Sequence, residues 1–129
     1  MLKRVLGAIA GIIICGLVIF IIEWLGGRLF PGATEAAAAG DLSRVPVGAL
    51  ITVLVGWFVG PLIGGYVAVR IADRDWVAWI VAGFVVLGVV LNATMIPHPL
   101  WMVVLGLLLP LLAGWIVSRT RPTATPSAA

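Results

Sequence analysis

Three polar side chains stand out in a chain that is otherwise almost wholly apolar: Glu23, Asn92 and His98. Glu23 directly follows an apolar run over residues 5–22. An ionisable group at such a place marks a functional site by default, because its solvation there is costly. A carboxyl can take up and release a proton, which is the chemistry of a proton carrier. The ordinary alternative is a wet carboxylate at the membrane interface, beside Trp24 and paired with Arg28. Asn92 offers an amide, which between membrane helices more often ties helices together than binds a ligand. His98, framed by Pro97 and Pro99, is either a proton-exchanging ring or a turn residue. Other chemistry is missing. No serine lies near a histidine and an acid in a recognisable motif, and no glycine loop has phosphate-binding spacing. The lone Cys15 excludes an internal disulfide and a Cys-x-x-Cys pair, and the lone histidine argues against a metal site. No catalytic residue, metal or cofactor is expected.

The elements that must position these groups follow from composition. The chain has 129 residues, 63% of them hydrophobic and 10% charged. A soluble domain this small needs far more polar surface, so the chain is an integral membrane protein. Crossing the bilayer takes about 20 apolar residues in a helix, since no backbone polar group can be left bare in lipid. The first span closes at Glu23-Trp24 or continues to Phe30, where Pro31-Gly32 stops it. The second lies between Arg44 and Arg70. From Trp76 to Ser118 no charged residue occurs, a length of about two bilayers, so it must fold back. Pro97-His98-Pro99 makes that hairpin. The expectation is an all-α bundle of four transmembrane helices built as two helical hairpins. The helices run over about 5–30, 46–70, 76–96 and 99–118 within a single domain 1–119, and 120–129 form a disordered cytoplasmic tail. The basic pair and apolar run at the N-terminus share features with a signal peptide. The run is too long for one and the alanines at 36–39 lie well past it, so a retained span is expected.

Lys3, Arg4, Arg70, Arg74, Arg119 and Arg121 fall on one side of this topology, and Arg28 and Arg44 on the other. The positive-inside rule then puts both termini in the cytoplasm of a bacterial inner membrane. Trp24 and Trp101 fall at the outer interface, and Trp76, Trp79 and Trp115 at the inner one, as aromatic belts do. The outer loop is expected to carry a short turn capped by Thr34 and ended by Gly40. Glu23, Asn92 and His98 share one level near the outer face. They form either a polar network holding the bundle top or a proton or cation site.

Small residues recur every four positions along the second span: Gly48, Thr52, Gly56, Gly60, Gly64, Ala68 and Ala72. They share one helix face and permit close backbone approach, a glycine-zipper pattern. That face is the centre of the bundle or the seam of a homodimer. Gly7, Gly11 and Cys15 form a shorter series on the first span, Gly106, Pro110, Gly114 and Ser118 on the fourth, and Gly88 and Asn92 on the third. Pro61 and Pro110 each remove a helix hydrogen bond and are possible hinges. Trp57 fills the core or offers a face to an apolar ligand. No basic run is dense enough to grip nucleic acid.

The segments Ile22-Glu23-Trp24-Leu25-Gly26, Leu29-Phe30-Pro31 and Met95-Ile96-Pro97-His98-Pro99-Leu100-Trp101, with the Gly60, Gly64, Gly65 and Ala68 pattern between them, resemble a family of small, uncharacterised bacterial inner-membrane proteins. The resemblance covers nearly the whole chain and implies four membrane helices without an assigned activity. It also implies a histidine shortly after the glutamate, where this chain has Gly27. The absent Glu–His pair weakens a metal or proton-relay reading. The small multidrug exporters offer an analogy of class only: they too have four short helices and a membrane glutamate, placed nearer mid-membrane.

Two functions from different classes follow. The first is a non-enzymatic membrane protein that self-associates or serves a larger membrane complex, motivated by the small-residue series. The second is a small proton-coupled transporter using Glu23, which requires that carboxyl to exchange protons at physiological pH. Beyond the lipid bilayer, a homo-oligomer or larger complex is the expected partner.

Overall fold

The computed structural model describes residues 1–120. Five α-helices follow in order: α1 (Leu2–Leu29), α2 (Ala33–Ala38), α3 (Val47–Ala72), α4 (Val77–Met95) and α5 (Leu100–Ser118), with a 3-10 turn at Leu42–Arg44. Four of them, α1, α3, α4 and α5, are long and apolar enough to cross a membrane. The shortest, at 19 residues, reach about 28 Å, close to the hydrocarbon thickness of a bilayer. The fold is an all-α four-helix membrane bundle, and the protein is multi-pass. Of the expected tail at 120–129, residues 121–129 lie outside the described residues. Thr120, its first residue, donates its hydroxyl to the Val117 carbonyl at 2.7 Å.

Local chemistry sets the helix ends. Pro31 follows the end of α1, Pro46 immediately precedes α3, and Pro99 immediately precedes α5. Ile96 is extended, as a residue before proline prefers. Asp73 closes α3 in the left-handed conformation, its N–H donating to Val69 at 2.9 Å. The outer loop differs from expectation at one point. Thr34 does not cap the short helix but lies within it, and Gly32 (φ 85°) makes the turn into α2. A left-handed φ suits glycine, so the backbone turns without a side-chain cap. Gly40 (φ 74°) ends the helix, with N–H groups of Gly40 and Asp41 returning to the carbonyls of Ala37 and Ala36 at 3.0 Å.

α3 is the central helix and touches each of the other three spans. All seven small residues of its series face α1 of the same chain. In antiparallel register, Gly48 lies against Phe30, Thr52 against Gly26, Gly56 and Gly60 against Ile19, Gly64 against Gly11 and Cys15, and Ala68 and Ala72 against Gly7. The contact is too close for side chains. A methyl at Gly64 would strike the Gly11 carbonyl oxygen and lie 2.6 Å from Cys15 Cβ. One at Gly7 would lie 2.7 Å from the Ala68 carbonyl oxygen. This is the packing that replaces the hydrophobic effect between helices in lipid. Cys15 is fully buried in it, a small packing residue.

The opposite face of α3 meets α4 and α5. Trp57 packs its ring onto Gly106, Gly114 of α5 sits against Ala82 of α4, and Gly65 lies beside Val117. Gly88 departs from the expected packing role: a side chain there would meet nothing within 4 Å, so Gly88 faces outward, as do Gly16 and Gly83. Pro61 and Pro110 are fully buried inside α3 and α5, which continue through them. Ile9, Ile13, Leu17 and Phe20 point away from the bundle along α1, where lipid would solvate them.

Substituting Gly64 by alanine should therefore destabilise the fold by about 1–3 kcal/mol through overpacking. Gly16→Ala, in open space on the outward side of α1, should be neutral or stabilise by up to about 1 kcal/mol from helix propensity. Reversible unfolding in mixed detergent micelles, followed by circular dichroism, checks the ranking. Equal effects would contradict the seam.

Candidate functional site

At the end of the bundle opposite the termini, a partly open cavity of about 220 Å³ lies beside the α1–α3 seam. Helix α1 contributes Glu23, Gly26 and Gly27 to its wall. The short helix α2 packs over this end through Ala33, which is buried, and Ala37, and both line the cavity. Leu50 and Val53 of α3 and Met102 of α5 supply apolar wall. Asn92, near the end of α4, and His98, in the Pro97–Pro99 hairpin, complete it. The three polar residues singled out by type thus line one cavity, carried there by three separate elements.

Their bonding is sparse. Among the described residues Glu23 makes neither an ion pair nor a hydrogen bond, and no partner is recorded for the Asn92 side chain. The expected Glu23–Arg28 pair is absent. The Arg28 guanidinium instead lies over the Trp24 ring, 4.7 Å from its centroid, an arrangement that holds the cation at the surface with an aromatic face. Arg44, the other cation of this end, pairs with Asp41 at 3.2 Å, and Asp41 also accepts from Ser43. The carboxylate therefore has no counter-ion among the described residues.

His98 is held in one orientation. Its Nδ1 lies 2.7 Å from the Ile96 carbonyl oxygen. A carbonyl can only accept, so Nδ1 carries the hydrogen, and in the neutral ring Nε2 is left as an acceptor. The imidazole also stands 6.5 Å from the Trp57 ring at a 49° tilt. Trp57 itself is 6% exposed and lies below the cavity as core filling. The arrangement can accept a proton or a hydrogen-bond donor, with two titratable groups and an amide around one space. No three potential metal ligands come together among the described residues.

Several contributors escaped the sequence reading. Thr34 and Thr52 both line the cavity. The Thr52 hydroxyl donates to the Gly48 carbonyl at 2.9 Å, and its methyl fills the space over Gly26. The role of α2 was signalled only by Ala33 and Ala37, four apart on one face of a very short helix. Among the described residues, the opposite end of the bundle carries no comparable cluster. Arg70 and Arg119 lie over Tyr66 and Trp115 at 5.7 and 5.3 Å, while an Asp75 oxygen accepts from the Trp76 N–H at 2.9 Å at the start of α4. The chain matches no protein-family model, and no curated protein and no solved structure matches it either.

If the cavity is wet, a thiol in it is reactive, whereas one facing lipid is not, because the thiolate is the reactive form. In a Cys15→Ala background, Asn92→Cys should label with a membrane-impermeant maleimide added on the side of the 3-10 turn. Gly88→Cys, on the outward face of the same helix, should not. Equal inertness at both positions would mean a dry cavity.

Proposed function

We propose that the chain is a small proton-coupled carrier of the bacterial inner membrane, with Glu23 as the group that exchanges a proton for a ligand. The observation that carries this reading is the convergence of Glu23, Asn92 and His98 on one cavity, with no counter-ion for the carboxylate among the described residues. An uncompensated carboxylate at membrane depth is costly, so it recruits either a proton or a cation. Competition between the two is what couples a carrier to the proton gradient.

The fold supplies a direction for it. Lys3, Arg4, Arg70, Arg74 and Arg119 belong to one end of the helices, and Arg28 and Arg44 to the other. The positive-inside rule supports both termini in the cytoplasm and the cavity opening outward. Access from the other side requires a bend. Pro61 and Pro110 leave the carbonyls of Trp57 and Gly106 without a helix donor, and these two residues pack against each other beneath the cavity. Bending there is the movement the carrier uses.

The self-associating or accessory reading loses its motive. The small-residue face that suggested a partner is filled by α1 of the same chain, and no other feature favours it.

In proteoliposomes, infrared spectra across the physiological pH range should show a carboxylic-acid band that comes and goes with pH and is missing in Glu23→Gln. A carboxylate that stays ionised throughout would rule out the carrier.

A further inference from the structure

We propose that the occupant of the Glu23 cavity is a primary ammonium group carried on a short hydrocarbon body. This inference rests on the cavity as the working site and names its ligand class.

The polar inventory of the wall is rich in acceptors and lacks a cation. An ionised Glu23 can only accept. With Nδ1 donating to Ile96, neutral His98 offers Nε2 as an acceptor. The Thr52 hydroxyl hydrogen is committed to Gly48, which leaves its oxygen to accept. Asn92 adds a carbonyl oxygen along with its amide hydrogens. The cations of this end are held elsewhere, Arg28 over Trp24 and Arg44 on Asp41. An anion would therefore meet the carboxylate with only the neutral Asn92 amide and Thr34 hydroxyl to donate to it. A neutral apolar molecule would leave that carboxylate unmatched, which is costly in an apolar setting.

Among cations the choice narrows further. A transition metal favours His, Cys and carboxylate ligands, and no group of three such residues forms among the described residues. A quaternary ammonium needs aromatic faces rather than acceptors, and no Phe, Tyr or Trp stands among the residues lining the cavity, Trp57 being buried beneath it. A primary ammonium presents three N–H donors to a carboxylate and neutral acceptors. Ala37, Leu50, Val53 and Met102 suit a hydrocarbon body. The volume of about 220 Å³ lies below that of drug-sized pockets, so the ligand is small. Two sources carry this chemistry, a free alkylamine and the ethanolamine headgroup of a phospholipid.

The test is calorimetric titration of the whole chain in phosphatidylcholine nanodiscs with n-butylammonium, against n-butanol and tetraethylammonium. Butylammonium should bind at least about tenfold more tightly than either, and Glu23→Gln should weaken it by at least about tenfold. Glu23→Asp keeps the charge and should retain measurable binding even where the amide variant folds poorly. Replacing part of the phosphatidylcholine by phosphatidylethanolamine should weaken butylammonium binding if the lipid headgroup is the natural source, and leave it unchanged if a free amine is; both results uphold the ammonium class. Equal binding of butanol and butylammonium, or no binding of either while the Glu23 band still titrates, would overturn the ligand class alone. Butylammonium binding beside a carboxylate that never protonates would instead overturn the carrier and keep the ligand class.

Discussion

The close approach of α1 to α3 is the constraint on which the rest of the structure depends. In lipid nothing drives apolar helices together through water, so they hold through dense contact between surfaces that fit. Gly7, Gly11 and Cys15 on one side, and Gly60, Gly64, Ala68 and Ala72 on the other, bring the two backbones within reach of each other. That contact fixes the rotation of α1 about its axis. The same register sets Gly26 against Thr52 and leaves Glu23 beside the seam, where it forms part of the cavity wall and is also exposed.

The same seam explains where the cavity lies. Toward the termini, small residues stand on both helices and no space is left. Toward the other end the pairing becomes unequal, with Ile19 and Ile22 against Gly56 and Phe30 against Gly48. The two helices still meet closely at Gly26 and Thr52, and the cavity lies beside that contact, covered by α2 rather than by another span. A short helix of alanines can do this because Ala33 and Ala37 occupy little room. The carboxylate thus lines a space wide enough for a small occupant.

Much of this was legible from residue types and spacing. Apolar runs and their breaks at Pro31, Pro46 and Pro97–Pro99 announce the four spans, because lipid permits little besides helices there. The level shared by Glu23, Asn92 and His98 follows from counting turns. The partner of the small-residue face on α3 did not follow, since spacing shows that a face can be approached closely but not by which helix. The Arg28 position also escaped. A guanidinium four residues from an aromatic and five from a carboxylate can turn to either, and only the side-chain geometry shows that it takes the Trp24 face. Gly88 misled for a related reason: a small residue facing lipid looks the same in sequence as one facing a helix.

The most direct test of the seam is disulfide cross-linking in the membrane. A side chain at Gly26 would place its Cβ 3.3 Å from Thr52 Cβ, near the separation that a disulfide spans. The chain carrying Gly26→Cys and Thr52→Cys, with Cys15→Ala, should oxidise to a bond within one molecule that migrates as a monomer. Mixed membranes holding the two single-cysteine chains should give no dimer. A covalent dimer from that mixture would place the small-residue face between chains, and with it would go the cavity that Glu23 lines.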